Sequence, residues 1–118
     1  MEIDKAILSF SQSEKIKAGI IWVSQTLSML QGIPDGEKKG MEKVINAILH
    51  MIGQEMKLAE VVTGNMDWAE IQPFIDHAAV MVNSGVGREA TLHLSKALSK
   101  VTNIGNQSMT FLKEQELL

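Results

Sequence analysis

Three clusters of turn-forming residues divide this sequence and constrain its fold more than any other feature. They lie at residues 32–36, 63–65 and 83–87, and each is rich in Gly, Pro, Asn or other residues that favour turns. The four stretches between them carry apolar residues three and four positions apart, which is the spacing of amphipathic helices. No segment alternates apolar and polar residues over the length of a strand. Short links between helices of this length make neighbouring helices antiparallel.

The sequence therefore predicts an all-α protein, an antiparallel up-down-up-down four-helix bundle that forms one domain over residues 1–118. The predicted helices cover residues 13–31, 37–62, 67–82 and 88–112. The capping-box spacing of Ser11 and Glu14 marks the start of the first helix. Residues 1–12 are predicted to form either an arm or a short extra N-terminal helix. Gly105 allows a bend in the last helix, because Gly costs about 1 kcal/mol relative to Ala there.

Composition restricts the classes of function. Of the 118 residues 45% are hydrophobic, which is enough for a packed core without disulfides. A net charge of −3 argues against binding to nucleic acid or to an anionic membrane surface, and no apolar run approaches the length of a membrane span. The absence of cysteine excludes thiol nucleophiles and cysteine-bound metal ions. The absence of cysteine and an N-terminus that does not resemble a signal peptide together predict a cytoplasmic protein.

The first predicted helix carries two apolar stripes, where a helix of a lone bundle needs one. Its core stripe consists of Ile16, Ile20, Val23, Leu27 and Leu30. A second line lies on roughly the opposite side, where such a helix is normally polar, and consists of Ala18, Trp22, Met29 and Ile33. Burial of Trp22 is worth about 3 kcal/mol, so we interpret this line as a protein-binding face, either for a homodimer or for another partner. The alternative is that residues 1–12 or the C-terminal tail fold back over it.

The second predicted helix has a broad apolar arc, and we expect it to be the most buried of the four. The arc consists of Met41, Val44, Ile45, Ile48, Leu49, Met51, Ile52, Met56, Leu58, Ala59 and Val62. Glu55 falls within this arc, and a carboxylate there must find a partner, change its pKa or lie at a rim that opens to solvent. The rim is the simplest interpretation, and a small-ligand or metal site near Glu55 is the functional one.

Motifs for catalysis and for metal binding are incomplete. No glutamate has a histidine three residues later, as a di-iron bundle requires. The stretch from Gly85 to Ala90 fits a dinucleotide-binding pattern, but the parallel sheet that this pattern needs is not predicted around it. No Ser-His-Asp set can be assembled with a defined geometry. The sequence therefore predicts no catalytic residue, no cofactor and no metal ion, and the leading hypothesis is a non-enzymatic protein that works through protein association.

The stretch His93-Leu94-Ser95-Lys96-Ala97 resembles the phosphoacceptor segment of histidine phosphotransfer domains, which are helical bundles of similar size. His93 and Lys96 match the pattern of that family, whereas Ala97 stands where the family usually has Gly. The resemblance implies a phosphorelay carrier in which His93 accepts the phosphoryl group. This function and ligand or metal binding near Glu55 remain open beside protein association.

Overall fold

The computed structural model describes all 118 residues and confirms the all-α four-helix bundle. Its helices extend over Ile3–Met29 (α1), Asp35–Thr63 (α2), Gln72–Asn83 (α3) and Gly87–Glu114 (α4), and the chain contains no strand. Two short 3-10 turns lie in the links, one at Leu30–Gly32 and the other at Met66–Trp68. Each helix packs against the helices before and after it, and α4 packs against α1, which closes the bundle.

α1 differs from its predicted range because it begins at Ile3 rather than near residue 13. No Gly or Pro occurs among the first 18 residues, so nothing in the sequence stops the helix there. Ala6, Ser9 and Ser13 are buried and hold the first turns against the bundle. Residues 3–12 are therefore part of α1 and form neither an arm nor a separate helix.

α3 begins at Gln72, later than the predicted start at residue 67. The preceding 3-10 turn has its own cap, because the side-chain oxygen of Asn65 accepts a hydrogen bond from the Asp67 backbone N–H at 2.9 Å. Pro73 lies in the first turn of α3, where its missing N–H leaves no helical hydrogen bond unmade. The capped turn and the proline together delay the start of the helix.

α4 continues through Gly105 without the break that the sequence allowed. Gly105 is buried where α4 crosses α1, and a Cβ atom at this position would lie 2.5 Å from Ser13 Oγ and 3.2 Å from Ser13 Cβ. The Ser13 hydroxyl donates a hydrogen bond to the Phe10 carbonyl at 2.7 Å, which fixes its position. Gly105 therefore allows the close approach of two helices.

The core is one cluster to which all four helices contribute. α3 has 12 residues, whereas the other three helices have 27 to 29. Trp68 and Ile71, in the link before α3, are fully buried and fill part of the core that this short helix does not reach. The molecule measures 53 × 22 × 18 Å, so the bundle is long and thin and has large outer faces.

Candidate functional site

The structure places the main residues of the predicted protein-binding line of α1 at the surface. The side chains of Trp22 and Met29 are 69% and 62% exposed. Ala18 is partly buried, and Ile33 is partly buried in the link beyond α1 rather than on the helix itself. Because residues 3–12 belong to the same helix, they cannot fold back over Trp22, and the C-terminal tail leaves it exposed as well. No part of the chain covers this line.

α2 carries a second exposed apolar stripe, and the predicted burial of this helix is wrong at these positions. Val44, Met51 and Leu58 are 60%, 59% and 49% exposed, although the apolar arc assigned them to the core. A helix at the corner of a bundle buries only the sector that faces its neighbours, and the arc of α2 is wider than that sector. Their seven-residue spacing places them on one side of α2 but gave no signal of exposure, because the buried residues Ile45, Ile52 and Ala59 have the same spacing.

Contacts between α1 and α2 show that the exposed line of α1 lies beside α2. A Cβ atom added to Gly19 would lie 3.3 Å from the Ile52 side chain, so this flank of α1 faces α2. Trp22 follows Gly19 by three residues and therefore lies on the same flank, turned toward solvent.

The exposed stripe of α2 lies on the matching flank. Glu55 contacts Gln12 and Lys15 of α1, and Met51 and Leu58 lie one turn before and after Glu55. The two stripes thus form one outer surface of the bundle. We call it the α1–α2 face, and it consists of Leu8, Lys15, Ala18, Trp22 and Met29 of α1 with Val44, Met51 and Leu58 of α2.

The α1–α2 face is poor in charge around Trp22. Residues 18–34 contain no Asp, Glu, Lys, Arg or His. In α2, the only titratable residue between Lys43 and Glu55 is His50. An apolar surface without charges loses little favourable hydration when another surface covers it. Contiguous exposed apolar surface of this kind is typical of interaction sites.

Glu55 lies at the rim of the buried sector of α2, within the α1–α2 face, and has partners for both carboxylate oxygens. Lys15 Nζ lies 2.9 Å from Oε1, and Gln12 Nε2 donates a hydrogen bond to Oε2 at 3.1 Å. The Lys15 ammonium, and after it the Gln12 amide, hold the pKa of the Glu55 carboxyl below its usual value of 4.5, so the group is ionised at neutral pH. No three His, Asp or Glu side chains are grouped to hold a metal ion. The geometry gives a ligand or metal site at Glu55 no support.

His93 lies in the contact between α3 and α4. Its ring packs edge-to-face against the ring of His77, with centroids 5.3 Å apart, and its Nδ1 atom is buried without a hydrogen-bond partner. A phosphoacceptor must present a ring nitrogen to a second protein, whereas this partly buried ring packs against α3. No observation in the structure favours the phosphorelay function.

An open groove of about 670 Å³ lies between α2 and α3. Polar side chains dominate its lining, and several of them bind one another. Asn46 and Asn83 are hydrogen-bonded across the groove, and Gln72 Nε2 donates to Asp76 Oδ1 at 2.9 Å. Paired amides of this kind are typical of a polar seam between packed helices, and they form no catalytic arrangement.

No protein-family model, curated protein or solved structure matches this chain. None of the four helices is long and apolar enough to cross a bilayer. The fold and the α1–α2 face together define a helical bundle with an exposed apolar face on two of its helices.

Proposed function

We propose that this chain is a non-enzymatic cytoplasmic protein that works through association, and that its α1–α2 face binds the same face of a second copy to form a homodimer. The observation that carries the proposal is the exposure of Trp22 in an apolar surface whose α1 part carries no charged side chain from residue 18 onward. Burial of a large apolar side chain contributes about 3 kcal/mol, and an interface would recover this contribution.

The dimensions of the face suit a stable dimer. At 1.5 Å per residue, α1 and α2 each extend over about 40 Å. The bundle is 22 × 18 Å across, so the face measures about 40 × 20 Å. A contact over the whole of this outline would cover about 800 Å² of each copy, an upper limit that equals the contribution of one partner to an interface of standard size.

A second copy is favoured over a different partner because of the charge distribution. The Lys15–Glu55 pair is neutral as a whole, and residues 18–34 carry no charge, so the face does not repel its own copy. The face also carries both members of the Lys15–Glu55 pair, so a second copy supplies an opposite charge for each of them. Closed twofold pairs are also the commonest form of protein oligomer.

A matched pair of substitutions tests the proposal. Trp22→Asp and Val80→Asp each place a carboxylate at an exposed apolar helix position, the first on the α1–α2 face and the second on α3, with 69% and 62% exposure. We expect Trp22→Asp to raise the dimer dissociation constant at least about tenfold, because the carboxylate loses its hydration in the interface. Val80→Asp should leave it unchanged. Sedimentation velocity over a concentration series measures both constants.

Two results would contradict the proposal. A wild-type chain that stays monomeric at high micromolar concentration would exclude the homodimer, and a different protein would then be the remaining partner for the face. A dimer that Trp22→Asp and Val80→Asp weaken equally, or not at all, would place the interface elsewhere on the bundle. Circular dichroism of both variants at low concentration provides the folding control.

A further inference from the structure

The α1–α2 face contains two regular seven-residue repeats. On α1 the repeat consists of Leu8, Lys15, Trp22 and Met29, and on α2 it consists of Val44, Met51 and Leu58. A seven-residue repeat drifts by only about 20° around a helix, so each set forms a nearly straight line. Each line therefore presents one side chain about every 10 Å, and the gap between two successive side chains can receive a side chain from another helix.

The ion pair fixes the relative heights of the two lines. Lys15 and Glu55 lie at the same level of the antiparallel helices, with Nζ and Oε1 2.9 Å apart. Seven residues further along α1, Trp22 is level with residue 48 of α2, because both helices rise by the same distance per residue. The Trp22 ring therefore lies at a height midway between Val44 and Met51, where the α2 line leaves a gap.

Building on the homodimer proposed above, we propose that two copies pair about a twofold axis parallel to the helices, with α1 of each copy lying antiparallel on α2 of the other. This operation keeps every residue at its own height along the axis. Trp22 of one copy then enters the gap between Val44 and Met51 of the second copy. Lys15 of each copy reaches Glu55 of the other, so the two internal ion pairs join into a group of four alternating charges.

The charges distinguish this arrangement from the other twofold arrangement of the same faces. An axis across the helices would lay α1 on α1 and α2 on α2. Lys15 would then contact either Lys15 of the second copy or the apolar side chains of its α1, and Glu55 would contact either Glu55 or the apolar side chains of α2. Both kinds of contact are unfavourable when water is excluded. Only the axis parallel to the helices keeps opposite charges in contact and apolar lines against each other.

Charge reversal with mixing tests the arrangement. Lys15→Glu and Glu55→Lys each produce like charges at the proposed contact, so each variant alone should form a homodimer at least about tenfold weaker than the wild type. In an equimolar mixture, the carboxylate introduced by Lys15→Glu would meet the ammonium introduced by Glu55→Lys, and the heterodimer should predominate. Native mass spectrometry with one variant labelled with ¹⁵N measures the fraction of heterodimer. The double variant Lys15→Glu with Glu55→Lys keeps the internal pair and should dimerise like the wild type.

Mixing distinguishes a contact between copies from the ion pair within one chain. Each single variant has lost its internal Lys15–Glu55 pair, and mixing does not restore it, so a preference for the heterodimer must come from contacts between the copies. Heterodimers above about nine-tenths of all dimers support the arrangement when both single-variant homodimers are also at least about tenfold weaker than the wild type. With α1 on α1, the wild type would already bring like charges together, and charge reversal would not weaken the contact further. A random mixture, with about half heterodimer, overturns it but leaves the homodimer intact. If the wild-type chain itself forms no dimer, the proposed function fails together with the arrangement.

Discussion

Replacement of Trp68 with Ala is expected to lower the free energy of unfolding by about 3–5 kcal/mol, because it removes a fully buried aromatic side chain. Trp68 lies in the 3-10 turn before α3 and fills core space that the short helix leaves open. The backbone of the turn has its own hydrogen bonds and caps, so the link cannot easily collapse into the cavity. Chemical denaturation at one low chain concentration, followed by circular dichroism, measures the loss.

Two variants provide the controls for Trp68→Ala. The Trp68 Nε1 atom is buried without a hydrogen-bond partner, which costs about 1–3 kcal/mol. Trp68→Phe removes that donor and keeps most of the ring, so it should destabilise the chain much less than Trp68→Ala does. Trp22→Ala truncates the other, exposed tryptophan and should change the stability of the monomer by less than about 1 kcal/mol. A loss below about 1 kcal/mol for Trp68→Ala would contradict the assigned core.

Gly105→Val is the substitution with the second largest expected effect, a destabilisation of about 1–3 kcal/mol. The first added carbon would lie 2.5 Å from Ser13 Oγ, and the branched side chain would press α1 and α4 apart. Val is a better helix former than Gly by less than about 1 kcal/mol, so the steric cost exceeds the gain in propensity. The same denaturation experiment measures the effect.

Gly40→Val is the matched control for this prediction. Gly40 also lies inside a long helix, but a Cβ atom added there would meet no heavy atom within 4 Å. We expect a change of no more than about 0.5 kcal/mol. Equal effects of the two substitutions would show that Gly105 is not required for the contact between α1 and α4.

The positions of the links could be predicted from the sequence because Gly, Pro and Asn restrict the backbone directly. Gly64 and Gly85 have φ values of 68° and 78°, a conformation that favours glycine, and both lie in predicted turns. The start of α1 could not be predicted in the same way. The capping-box spacing at Ser11 is a local signal, whereas the burial of Ala6 and Ser9 against the bundle depends on tertiary contacts.

The exposed residues of α1 could be predicted as candidates from the sequence, because two apolar lines on one helix exceed what a lone bundle buries. Trp22 and Met29 of the second line are exposed in the structure. The exposed residues of α2 could not be predicted from the width of its arc. Met51 and Met56 belong to one apolar arc, yet the first is exposed and the second is buried. The positions of the neighbouring helices decide which of the two is buried, and the apolar pattern of α2 alone does not give these positions.

The mass of the wild-type chain as a function of concentration tests the central claim, self-association through the α1–α2 face, most directly. Sedimentation equilibrium from about 1 to about 200 μM detects any dimer with a dissociation constant in or below the micromolar range. The proposed homodimer predicts a mass above 13.0 kDa that approaches twice that value as the concentration rises, and a lower mass for Trp22→Asp at the same concentration. A mass of 13.0 kDa throughout the range would contradict it.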